Sequence, residues 1–143
     1  MLWLLSQGKT RQLGPQASGD VVRWDNPNGV GLRYLHNSNS CQTMHSDLYG
    51  HLRMLAYDLP EGCYINHVGV WADSHHSQES LHQSGRAIDI VSFSYSRSNH
   101  LLHCSIIREQ EQIANMCSEH GMTTIWQDSR HRSHHVHAGV LLI

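Results

Sequence analysis

A chain of 143 residues suits one domain that can bury a core without relying on disulfides. Its formal charge of −2, with Lys9 as the single lysine, argues against the basic footprint of a nucleic-acid-binding protein and against a metal-dependent nuclease. The unusual feature is 14 histidines, which make the chain more cationic below about pH 6.5. The four cysteines, Cys41, Cys63, Cys104 and Cys117, show neither CxxC pairing nor zinc-ribbon spacing, so buried thiols and one or two disulfides both stay open. Met1-Leu-Trp-Leu-Leu5 is too short for the core of a signal peptide or for a membrane span of about 20 residues. The expectation is no signal peptide and no membrane span.

Residues 1–40 are mixed, with turn signals at Gly14-Pro15, Gly19-Asp20 and Asn26-Pro-Asn-Gly29. Val21–Trp24 and Val30–Leu35 read as short strands, paired in a hairpin across the Asn-Gly turn. Residues 1–40 are therefore expected to form an N-terminal arm or short hairpin; docking to a larger assembly is the functional alternative. From 44 to 58, Met44, Leu48, Leu52, Leu55 and Leu59 fall at helical spacing, with Asp47 near the start and Pro60 beyond the end. Cys63–Ala72 reads as a strand with Val68 and Val70 on one face; His67, on the other, reads as a satisfied or exposed histidine rather than a ligand. The polar loop from Ala72 to Glu79 carries His75 and His76, candidates to line a cleft.

Ala87-Ile-Asp-Ile-Val91 reads as a buried strand reaching residue 93, followed by a Ser-rich loop through Asn99. Ser105 fits a helix N-cap, with Ile106, Ile107, Ile113, Ala114 and Cys117 on one stripe and Gly121 as the stop. Met122–Trp126 reads as a strand, with Trp126 expected in the core or, as the alternative, as a cleft wall, and residues 134–142 as its antiparallel partner across the loop 127–133. The sum is an α+β fold: a small, mainly antiparallel sheet with helices packed against one face.

The chemistry concentrates in Glu79-Ser-Leu-His-Gln-Ser-Gly-Arg-Ala-Ile-Asp-Ile90. His82 and Asp89 are ligand types suited to a borderline metal such as zinc. Gly85 lets the backbone fold back between them, since it tolerates positive φ without steric cost. His134-His-Val-His137 lies ahead of the apolar Ala138–Ile143. On a strand, residues two apart share a face, so His135 and His137 point together while Val136 points to the core. One of the two can complete a His, Asp, His set, leaving the other beside the open coordination position.

The pattern Ser80-x-His82-x-x-Gly85-x-Ala87-x-Asp89, closed by His135-x-His137, resembles the zinc D-alanyl-D-alanine metallopeptidases. That family includes DD-carboxypeptidases, phage endolysin peptidases that cut peptidoglycan stem peptides, and the hedgehog signalling domain. The resemblance covers about residues 44–143 and implies a zinc peptidase-like domain over 41–143 with a hedgehog/DD-peptidase-like fold. It implies one zinc ion per chain held by His82, Asp89 and His137, and hydrolysis of peptidoglycan stem peptides, as a DD-carboxypeptidase or an endopeptidase. Without a signal peptide, such an enzyme would be made in the cytoplasm and act at the cell wall after lysis or holin action, or be carried in a phage virion.

Three protein ligands leave a fourth position for water, the mark of a catalytic rather than a structural zinc. Peptide hydrolysis also needs a group that takes the proton of the water and passes it to the leaving amine. Many relatives place a carboxylate three residues before the last ligand; here position 134 is histidine, position 131 is histidine, and the nearest upstream carboxylate is Asp128. His135 is the first candidate for the proton transfer, in the manner of the lysostaphin-type branch, with His134 and His131 as the others. The alternative is a zinc-binding module without catalysis, structural or cell-wall-binding. A second departure is the lack of an arginine in Val70-Trp-Ala-Asp-Ser74, where relatives often hold the substrate; Arg86 sits inside the motif, with an orientation away from the cleft as one of its two readings. Ser80 reads as a hydrogen-bonding support for His82, not as a nucleophile.

Overall fold

In a computed structural model, residues 21–36, 42–70, 81–95, 107–126 and 135–141 are described. Their elements are β1 (Val21–Arg23), a 3-10 turn (Pro27–Gly29), β2 (Gly31–Tyr34), β3 (Thr43–His45), α1 (Ser46–Ala56) and β4 (Cys63–His67). A second 3-10 turn (Leu81–Ser84), β5 (Ala87–Tyr95), α2 (Gln110–Glu119), β6 (Thr123–Ile125) and β7 (Val136–Gly139) follow. The strands form a five-stranded sheet in the order β2-β4-β5-β7-β6 and a separate β1-β3 pair. Only β2 with β4 is parallel; the other ladders are antiparallel. The described chain is thus α+β.

Helix α1 forms where the apolar spacing predicts it. Leu48, Leu52, Leu55 and Ala56 are buried on its inner stripe, and His45 caps it by accepting the Asp47 N–H at Nδ1, 3.0 Å away. From α2, Ile113, Ala114 and Cys117 enter the same core, which is floored by Ile65, Ile88, Ile90, Phe93, Val136 and Ala138. None of the described helices is long and apolar enough to cross a membrane.

Four expectations are corrected. The hairpin across Asn26–Gly29 does not form: β1 pairs with β3, while β2 runs parallel to β4, and Trp24, Val30 and Leu32 are buried in the common core. Trp24 is fixed there by its Nε1–H, which donates to the Val30 carbonyl at 2.8 Å. Met44 lies in strand β3 rather than in the helix, because its backbone ladder to Val22 satisfies it before α1 begins. Helix α2 starts at Gln110, not near Ser105: Ile107 exchanges both backbone hydrogen bonds with Phe93 and is held extended, and Ser105 lies outside the described residues. Trp126 is 38% exposed rather than core: it lies just past β6, which among the described residues is paired on one side only.

One irregularity decides which residues of β5 face which way. Asn66 pairs with Ser92, but the next residue, His67, pairs with Ile90, so Val91 is an extra residue on β5. Strict alternation would put Ser92 and Ser94 on the face of Ile88 and Ile90. The bulge turns the strand instead, so Ile88, Ile90 and Phe93 all enter the helix-covered core. Asp89, Ser92 and Ser94 are left on the opposite face.

Three outcomes follow. Leu52→Ala, at a fully buried position, should cost about 2–5 kcal/mol in urea unfolding followed by circular dichroism. Burial pushes the Cys117 thiol from 9.0 up to about 12. It should resist alkylation in the native protein and react once unfolded, as mass spectrometry would read. The sign for stability follows from the raised value: the contribution is intact below the unfolded-state pKa and lost as pH rises toward the folded one. Unfolding free energy should therefore fall between about pH 9 and 12, by at most about 1.4 kcal/mol per pH unit from this group.

Candidate metal centre

The candidate centre is built on two adjacent strands. In β7, Val136 and Ala138 turn to the core while His137 turns to the opposite face, the alternation expected of a half-buried strand. The antiparallel register sets Asp89 directly opposite His137, with Ile88 opposite Ala138 and Ile90 opposite Val136. On its other edge, Asp89 donates its N–H to the Gly69 carbonyl and accepts from the Val68 N–H, both at 2.9 Å. Its main chain is therefore clamped from both sides.

Residue 82 arrives from the 3-10 turn Leu81–Ser84. Gly85 closes this turn at φ +75, where a side chain would be strained, and the Arg86 N–H returns to the Leu81 carbonyl at 3.0 Å. The turn lies against β7 at Gly139: a Cβ there would meet Leu81 Cδ1 at 2.7 Å and Ala87 Cβ at 3.4 Å. Gly139 shares the strand face of His137, so the missing side chain lets the turn bearing His82 settle on the face that holds Asp89 and His137. The His82 side chain itself lies outside the description.

His137 Nδ1 stands 3.3 Å from Asp89 Oδ1, and His135 Nε2 stands 3.8 Å from the same oxygen. The Asp89 side chain is 7% exposed, His137 20% and His135 38%, so the carboxylate is deep and the two rings lead outward. With metal–donor distances of about 2.0–2.1 Å, neighbouring donors round a tetrahedral zinc lie roughly 3.3–3.4 Å apart. The Asp89–His137 separation fits that edge; His135 stands wider. Among the described residues, no group of three or more His, Cys, Asp or Glu side chains is placed to hold a metal ion.

Other residues singled out by the sequence fall elsewhere. Arg86 is buried and faces the helix side: its Nη2 donates to Asp47 Oδ2 at 3.1 Å and lies 3.0 Å from His45 Nε2. It ties the turn to the start of α1 and does not reach the Asp89 face. His67 is fully buried, its Nδ1 accepting the Gly69 N–H at 3.1 Å and its ring 5.4 Å from that of Tyr34. His131, His134, His75, His76, Ser80 and Asp128 lie outside the described residues.

Sequence reasoning missed a polar row on the Asp89 face. Asn66 Nδ2 donates to Ser92 Oγ at 2.9 Å and to Ser94 Oγ at 2.7 Å, and all three residues are buried. The serines were legible as alternating polar residues, but only the bulge at Val91 sets them on this face.

Scanned against models of known protein families the chain matches none, and a search of curated proteins finds no significant match.

Proposed function

We propose that this chain is a zinc-dependent peptidase with a hedgehog/DD-peptidase-like fold that hydrolyses peptidoglycan stem peptides, acting at the cell wall or from a phage virion. The observation that carries the reading is the cross-strand pair Asp89–His137, with donors 3.3 Å apart on the face against which the turn bearing His82 is packed. His82, Asp89 and His137 would hold the ion, which supplies a polarising charge and lowers the pKa of a bound water.

The chain's own residues supply the rest. Asp89, deep and clamped through its main chain, fixes the base of the centre. In this reading His135, the most exposed of the three described side chains, takes a proton from the nucleophile and returns it to the leaving amine.

The test is zinc stoichiometry together with muropeptide release from purified peptidoglycan, analysed by mass spectrometry. One zinc per chain and new peptides that vanish in His137→Ala are expected; one zinc with no release would turn the reading to a non-catalytic zinc module. Replacing His82, Asp89 or His137 by alanine should abolish both zinc binding and release. His135→Ala should retain zinc and lose about 10²–10⁴-fold in turnover, and a fully active variant would remove His135 from its role. Gly139→Val touches no ligand, yet by lifting the Leu81–Ser84 turn it should weaken zinc binding, measured by competition with a chromophoric chelator.

A further inference from the structure

The helix side of the sheet carries a feature remote from the candidate centre. Beside its buried stripe, α1 turns Ser46, Asp47, Gly50, His51 and Met54 to one side, at spacings of three and four residues that share a helix face. Together with Arg86, Val140 and Leu141 they line a cavity of about 590 Å³. Along α1 this lining passes from polar, at Ser46 and Asp47, to apolar, at Met54, over a rise of about 12 Å. Met54 and Leu141 are 51% and 58% exposed, an open apolar pair on the wall of the cavity. Gly50 lies midway. It has no positive φ to require glycine, and a Cβ there would meet nothing within 4 Å. Glycine inside a helix is unfavourable, and neither conformation nor the described packing accounts for it here; the close approach of another stretch of backbone does.

The start of the described chain lies next to this cavity. Val21, the first residue of β1, pairs with His45, which immediately precedes Ser46 and caps α1. The chain therefore enters the fold at the polar end of the cavity. Residues 1–20 precede that point and lie outside the described residues. Reading back from β1, their sequence has the polarity of the cavity: the polar Ser6-Gln-Gly-Lys9 comes first and the apolar Met1-Leu-Trp-Leu-Leu5 beyond it. Five extended residues span up to about 17 Å, enough for the rise from Ser46 to Met54. The tether to β1 holds the apolar stretch near the cavity at an effective concentration on the order of millimolar, which favours it over the same stretch of a second copy in dilute solution.

We propose that this cavity is the docking site of residues 1–5 of the same chain, with Trp3 against Met54 and Leu141 and the backbone crossing α1 at Gly50. The contact removes the exposed apolar pair from water and ties the start of the chain to α1. It also braces the sheet from behind, because the Val140 N–H on the cavity wall donates to the Arg86 carbonyl at 2.9 Å, at the end of the ladder that carries Asp89 and His137. The proposal uses neither zinc nor the peptidase reading.

The experiment reads nuclear Overhauser contacts from the Trp3 indole to the Met54 and Leu141 methyl groups in the full chain, at two protein concentrations and in a mixture of labelled and unlabelled copies. Contacts within one copy, unchanged by dilution, are expected. Trp3→Ser should remove them and lower the melting temperature by about 4 °C or more. Gly50→Leu puts a good helix former into open space, so an empty cavity would give a higher melting temperature with nothing else changed; a docked segment gives loss of the Trp3 contacts and no gain in stability. Absence of the contacts in the full chain, an unchanged melting temperature in Trp3→Ser, or a Gly50→Leu chain that is more stable and keeps the contacts each overturns the proposal. Contacts found only between copies overturn it too, and make this face an interface between two chains. Zinc uptake and muropeptide release test the peptidase reading alone and leave these outcomes untouched.

Discussion

Asp89 and His137 stand opposite each other on β5 and β7, and most of the candidate site is a consequence of that register. The same ladder that sets these two side chains on one face sets Ile88, Ile90, Val136 and Ala138 on the other, where α1 and α2 cover them. A slip of one residue between the strands would expose the apolar set and bury the polar one together. The core therefore holds the site in register: the hydrophobic area that stabilises the sheet also positions the carboxylate and the imidazole.

Burying Asp89 carries a cost that its surroundings must offset. A carboxylate that is 7% exposed loses most of its hydration, and the two imidazoles that approach its Oδ1 are the described groups placed to compensate. The arrangement is half-enclosed, one deep carboxylate with two rings graded outward in exposure. The helix side of the sheet shows the contrasting solution: Arg86, equally buried, lies against Asp47 and His45 at the start of α1. Neighbouring motif residues thus serve opposite faces, one anchoring the helix and the other forming the site.

Much of this was legible in the chain. The stripe Leu48, Leu52, Leu55 announced α1, the glycine at 85 announced the reversal before β5, and the alternation His135-Val-His137 announced which residues turn outward. What was not legible depends on contacts distant in sequence. The pairing of β2 with β4 rather than β1, and the extended state of Ile107, are set by strands some 30 and 14 residues away, for which local propensity carries no signal. His82 is placed by its backbone turn alone, and His131 and His134 lie outside the described residues.

The extra residue at Val91 means that β5 carries two parities in one strand, Asp89 reading in one phase and Ser92 and Ser94 in the other. Substitution and deletion then differ in kind. A conservative replacement at Val91 perturbs one partly buried side chain. Removing the residue restores strict alternation and turns everything on one side of it through half a period, driving Ser92 and Ser94 toward the core and Phe93 out of it. The strand is therefore tolerant of spelling changes at this position and intolerant of a change in length, a constraint of the kind that frames a code rather than a contact.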